Sequence, residues 1–276
     1  MRFKLPGALL LTLVFALSAG SLPARAEIAS AWVEGLNSRA RLVAGTVANG
    51  LLAGIEINLS EGWKTYWRNP GTGGIRPEFN WSGSENVRDI RVRFPAPKRF
   101  TDDYGTSIGY KRSVVFPVEF EAINPLEPQI LRLSLDYAVC EALCIPAHAS
   151  ISLMVPGGVT LGPSVRLMQG VSLVPKPGLE QGARILKVEQ RETPNLMFQV
   201  LHPGQPKSAD AFAEGPVNWY LPAPVEVSRE TAGDHTVITY SLDLSGRANP
   251  KEDAGAALRF TLIGDSRPVE QIWHIE

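Results

Sequence analysis

Runs of apolar residues at every second position, cut short by glycine and proline, constrain this chain more than any other feature. The sequence holds 25 Gly and 22 Pro among 276 residues. Between them lie short segments of period two, the pattern of strands with one buried face. The clearest is 131–139. There Leu131, Leu133, Leu135, Tyr137 and Val139 share one face, and Arg132, Ser134, Asp136 and Ala138 share the other. Similar segments fall at 51–59, 63–67, 87–94, 114–120 and 151–155. Pro117 inside the fourth predicts an edge strand or a bulge, because proline cannot donate to a ladder. A Gly- and Pro-rich stretch over 156–182 marks a boundary, with a short helix at 164–169. Strand signals resume at 183–188, 196–201, 217–221, 236–244, 258–263 and 269–275. The pattern is that of an all-β protein, a sandwich or barrel followed by a second unit of about six strands.

The N-terminus has the parts of a secretory signal peptide. Arg2 and Lys4 precede an apolar run over 8–18, and Ala24-Arg25-Ala26 is a small-x-small cleavage site. Residues 1–26 are read as the signal, with Glu27 as the mature N-terminus. The apolar run is shorter than the roughly 20 residues that span a bilayer. No later segment is long and apolar enough either, so no transmembrane segment is expected after cleavage. Roughly 250 residues remain, room for two modest domains or one large one. The net charge is −1 with no basic stripe, which gives no support for nucleic-acid binding.

The chain has two cysteines, Cys140 and Cys144, just past the clearest strand. Period two puts Cys140 on that strand's polar face. Cysteines four apart cannot bridge within a regular helix. The rise alone separates them by about 6 Å, and a disulfide wants Cβ atoms about 3.8 Å apart. The pair therefore belongs on a turn, with Pro146 following. Three uses remain open. A structural staple over so short a loop gives only about 2 kcal/mol. A redox couple needs two close thiols exposed to a partner thiolate. The loop holds no Lys or Arg and does hold Glu141, so a strongly acidic cysteine, and with it a potent oxidase, is not expected. A metal site would add His148 to Cys140 and Cys144, a set suited to a soft ion such as Cu(I). His202, His235 and His274 show no ligand spacing. No Ser-His-Asp arrangement, phosphate loop or zinc signature is evident, and no cofactor is expected.

Several segments in order carry a resemblance. They are Gly62-Trp63-Lys64-Thr65-Tyr66-Trp67-Arg68-Asn69-Pro70-Gly71, Phe79-Asn80-Trp81-Ser82-Gly83-Ser84, Phe94-Pro95-Ala96-Pro97-Lys98-Arg99-Phe100, Gly109-Tyr110 and Tyr137-x-x-Cys140-x-x-x-Cys144-Ile145-Pro146. Together they resemble the N-terminal periplasmic domain of the protein-disulfide reductase DsbD family, and more closely its ScsB-like relatives, over roughly residues 40–156. The resemblance implies two immunoglobulin-like β-sandwich domains in tandem. The first is a redox domain over 27–157, a linker covers 158–182, and the second sandwich covers 183–276.

It further implies a bacterial periplasmic thiol-disulfide exchange protein, a component of a protein-disulfide reductase system. Electrons would come from a membrane-embedded thiol reductase and go to periplasmic thioredoxin-like or disulfide isomerase clients. By position, Cys144 matches the cysteine that a partner engages and Cys140 its resolving partner. The family shields its pair with a cap loop, and Thr101-Asp102-Asp103-Tyr104-Gly105 stands in that place. Asp103 replaces the usual Phe there, so Asp102, Asp103, Tyr104 and Phe100 are the candidates to tune or cover the sulfurs. Two other functions use the same residues. One is a periplasmic copper-tolerance protein holding Cu(I) with the cysteines and His148. The other is a non-catalytic interaction module with a structural disulfide.

Overall fold

The computed structural model describes residues 26–48, 50–71, 73–102, 105–178, 182–190, 194–216, 219–247 and 255–275. Twelve strands come first: β1 (Ile28–Ala29), β2 (Val33–Gly35), β3 (Ser38–Val47), β4 (Gly50–Leu59), β5 (Lys64–Gly71), β6 (Glu78–Asn80), β7 (Val87–Val92), β8 (Lys98–Asp102), β9 (Gly105–Lys111), β10 (Ser113–Ala122), β11 (Gln129–Cys140) and β12 (Cys144–Val155). A helix, α1 (Val165–Leu173), follows. Then come β13 (Lys176–Pro177), β14 (Arg184–Gln190), β15 (Asn195–Pro203), β16 (Asp210–Glu214), β17 (Val225–Ala232), β18 (His235–Asp243), β19 (Ala257–Ile263) and β20 (Val269–His274).

The first twelve strands make two facing sheets. One runs β1-β3-β4-β10-β7, with β2 also on β3. The other runs β12-β11-β5-β9-β8, with β6 also on β11. Alternation explains the packing. Leu131, Leu133, Leu135, Tyr137 and Val139 of β11 point inward and meet Leu42, Ile55, Ile57, Phe116 and Val118 of the opposite sheet. Rings of Phe79, Phe94 and Tyr110 stand edge-on to Phe116 at centroid distances of 5.8, 5.2 and 5.4 Å, the geometry aromatic quadrupoles favour. The later strands form a second pair, β13-β20-β19-β16 facing β14-β15-β18-β17. Phe198 is its centre, stacked on Tyr240 at 5.3 Å and tilted on Phe260 at 4.7 Å. The all-β, immunoglobulin-like fold class is thus present in both units.

Two expectations are narrowed. The strand containing Pro117 is not at an edge: β10 lies between β4 and β7. Pro117 accepts from the Arg93 backbone N–H at 2.7 Å, just beyond the β7 ladder, which begins at Val118. Its missing N–H therefore falls at a ladder end, while the register shift between Glu119 and Glu121 supplies a bulge. Trp219–221 of the proposed 217–221 strand have no strand geometry, and 217–218 lie outside the described residues. The strand nearby is β16. The short helix expected at 164–169 is α1 (Val165–Leu173). Ser164 caps α1 by accepting from the Leu167 backbone N–H at 3.2 Å. Leu167 is buried against Gly54, where an added Cβ would collide with its side chain, so the helix lies on the outer face of the β3-β4-β10 sheet.

Candidate functional site

The β11–β12 hairpin stays in register to its tip, where Cys140 pairs with Cys144 across Glu141-Ala142-Leu143. The two are joined by a disulfide. Period two carries Cys140 outward, away from the core, as its sequence position indicated. There it forms a small buried cluster with Ala138 and Tyr66. The two sulfurs sit in unlike surroundings: Cys140 is 1% exposed, whereas Cys144 is an exposed residue beside Leu143, itself 76% exposed. A partner thiolate has access on the Cys144 side.

Strand β5 supplies the rest of the site. Lys64 pairs with Cys140 and Thr65 with Val139 across the β5–β11 ladder. Trp67 points into the core, so alternation turns Tyr66 and Lys64 outward, toward the cysteines. The Tyr66 hydroxyl donates to Cys140 Sγ at 2.8 Å and lies 3.1 Å from Cys144 Sγ. Burial, and then the negative charge of Asp102, push the Tyr66 pKa above its ordinary value. Tyr66 therefore keeps its proton at neutral pH and remains a donor. Lys64 Nζ, in a nearly buried side chain, pairs with Asp102 Oδ2 at 2.6 Å. Behind Tyr66, strand β9 approaches β5 at Gly109. A Cβ there would run into the Thr65 carbonyl, so glycine lets the two strands close.

Of the residues singled out from the sequence, Cys140, Cys144 and Asp102 come together here. Asp103 and Tyr104 lie outside the described residues. Phe100 is half-buried with the Lys111 ammonium 4.8 Å from its ring centroid. Glu141 leans back over the turn: a Cβ on Gly62 would stand 2.5 Å from its Oε1. His148 is not brought to the sulfurs. It lies four residues along β12, about 13 Å from Cys144 at strand rise. Its Nδ1 meets Asp136 Oδ1 at 2.7 Å and its Nε2 meets Ser150 Oγ at 3.0 Å. Among the described residues no three His, Cys, Asp or Glu side chains group to hold a metal, and no helix is long and apolar enough to cross a membrane. Tyr66 and Lys64 were missed as site residues. Their outward phase was readable once Trp67 was assigned to the core, but the β5–β11 pairing that delivers them to Cys140 was not.

The arrangement is suited to thiol-disulfide exchange: an exposed sulfur to attack, a buried sulfur to leave, and a hydroxyl donor beside both. Comparisons with known proteins point the same way. Residues 39–156 match the family described as "Thiol:disulfide interchange protein DsbD, N-terminal". Among solved structures, the N-terminal periplasmic domain of ScsB from Proteus mirabilis is similar, with 25% identity and a TM-score of 0.68. The match covers 90% of this chain and 98% of that one. No curated protein matches the chain. Residues 39–156, with the Cys140–Cys144 disulfide at their hairpin tip, thus form a domain of the DsbD N-terminal type.

Proposed function

We propose that this protein relays electrons in the periplasm, taking them from a membrane-embedded thiol reductase and giving them to oxidised thioredoxin-like or disulfide isomerase clients. The observation that carries this is the asymmetry of the pair, with Cys144 exposed and Cys140 buried under the Tyr66 hydroxyl. In the first half-cycle a donor thiolate attacks Cys144 Sγ. The S–S bond breaks, and Cys140 leaves as a thiolate with the bonding electron pair, accepting a hydrogen bond from Tyr66. The donor's second thiolate then attacks its own sulfur in the mixed disulfide. Cys144 is released, and the donor leaves as a disulfide.

In the second half-cycle the Cys144 thiolate attacks a client disulfide and expels one client thiolate. Cys140 attacks Cys144 Sγ, the second client sulfur departs as a thiolate, and the internal disulfide re-forms. Two electrons have passed and each sulfur has returned to its starting state. A donor that carries one proton and holds it at neutral pH stabilises the thiolate in both halves. Residues 1–26 act as the export signal in this scheme, and sandwiches 27–157 and 183–276 work as one soluble unit.

Trapping tests the scheme. Cys140→Ser should accumulate a mixed disulfide with an oxidised thioredoxin-like client through Cys144, while Cys144→Ser should not. Equal trapping by both variants, or by neither, would reject the assignment of Cys144 as the engaged sulfur. An interaction module with a structural disulfide would instead bind its partner undiminished after Cys140→Ser/Cys144→Ser.

A further inference from the structure

The two strands that carry the site's polar residues are also the two gripped by the second sandwich. On β5, Tyr66 pairs with Gly109 and Gly71 with Ser107. Trp67, Arg68, Asn69 and Pro70 thus stand where β9 offers Ile108 alone. This bulge, starting one residue after Tyr66, projects into β16 and its neighbours. Arg68 Nε donates to both carboxylate oxygens of Glu214, at 2.8 and 2.7 Å, and Nη2 donates to Glu270 Oε1 at 2.6 Å. Asn69 Nδ2 donates to the Ala213 carbonyl at 2.9 Å and the Leu221 carbonyl at 3.4 Å. Trp67 meets Phe212 edge-on at 5.9 Å. On β8, Arg99 makes a two-pronged pair with Asp210, Nη2 to Oδ1 at 2.6 Å and Nε to Oδ2 at 3.1 Å. Three residues further on, Asp102 holds Lys64.

We propose that the cysteine-free second sandwich is a positioning element for the exchange site, with β16 holding β5 and β8 so that the Tyr66 hydroxyl stays aimed at Cys140. The inference rests on the exchange function proposed above. Arg68 and Arg99 are positioning residues: neither touches sulfur. They act through strand placement, and a hydrogen bond to a forming thiolate weakens steeply with distance and angle. The grip is ionic and two-pronged at both strands, and such pairs fix orientation as well as distance.

The test uses the full mature protein. Glu214→Gln/Glu270→Gln keeps side-chain shape and removes the charges facing Arg68, and Asp210→Asn does the same at the part-exposed Arg99 pair. The readouts are the rate at which dithiothreitol opens the disulfide, the pH dependence of Cys140 alkylation in the reduced protein, and thermal stability. The expected result is a rate three- to tenfold lower and a Cys140 thiol that ionises at higher pH, well below the melting temperature. Both effects should vanish in a Tyr66→Phe background, because the grip acts through that hydroxyl. Should the double variant not fold, Asp210→Asn alone decides. Lower melting temperature with unchanged rate and unchanged thiol ionisation would overturn the proposal, as would the same slowing with Tyr66→Phe already in place. Failure of the exchange function itself would appear in the wild type, as a disulfide that dithiothreitol does not open in the native protein.

Discussion

In the first sandwich, the outward face of the β5-β11-β12 sheet carries Lys64, Tyr66 and Cys140, all buried by their neighbours. In the second, every residue of the edge strand β17 is exposed, and the buried polar group of note, His202, points inward. Both ring nitrogens of His202 lack a hydrogen-bond partner among the described residues. The interiors are alike in kind: alternating Leu, Ile, Val and Phe from two facing sheets. What separates the units is the use made of outward positions. An outward residue is free of the core's demand for apolar volume. A register that aligns three such residues on adjacent strands can therefore build a reactive group without disturbing the fold. The second unit has no cysteine to place on such a face, and it presents Asp210, Phe212 and Glu214 of β16 to the first.

The comparison can be broken in several ways. The largest effect should come from Cys140→Ser/Cys144→Ser. It abolishes exchange outright, while urea unfolding shows a loss of about 2 kcal/mol, the entropy of closing a short loop. Next come matched core truncations. Trp67→Ala and Phe198→Ala should each cost about 3–5 kcal/mol in urea unfolding. Only Trp67→Ala should also slow reduction by dithiothreitol, because Trp67 begins the gripped bulge. Equal slowing by Phe198→Ala would erase the distinction between the units.

Acid should single out the second sandwich. Burial, and then the Arg229 charge, lower the His202 pKa from 6.5 to about 4. The unfolded chain therefore takes the proton first. The stability held by the neutral ring is intact above pH 6.5 and is lost as pH falls toward 4. We expect a loss on the order of 2 kcal/mol across that window, absent in His202→Leu. Melting followed by fluorescence across the pH range would show it, and a flat wild-type profile would contradict it. Tyr66→Phe should cost about 1.5 kcal/mol of thiolate stabilisation, seen as roughly tenfold slower opening of the disulfide. Smallest is His148→Ala. Its exposed ring should matter by no more than about 0.5 kcal/mol, and exchange should not change. A matching drop in Cu(I) binding by this variant would favour the metal function instead.

Much of the fold was legible because the inward residues of 131–139, 196–201 and 236–244 alternate without interruption. Besides the two- and three-residue strands β1, β2, β6 and β13, the strands that escaped notice are β3, β8, β9, β16 and β17. β3 is diluted by Ala40, Ala44 and Gly45, and β9 by Gly105 and Gly109. β16 is short, and β17 has no buried face to leave a periodic trace. Cys140 on the outward face followed from period two. Tyr66 as its hydrogen-bond donor did not, because the contact spans 74 positions and depends on the β5–β11 register. Arg68 and Arg99 were equally hidden, since their carboxylates lie in the other unit.

The central claim is that Cys140–Cys144 cycles rather than staples. The most direct measurement is its reduction potential, by thiol trapping of metal-free mature protein across glutathione and dithiothreitol buffers. The account predicts a value above about −300 mV, with the native protein opening and reclosing its disulfide as the buffer is changed. A much lower value, or a disulfide that opens only when the protein is denatured, would contradict it.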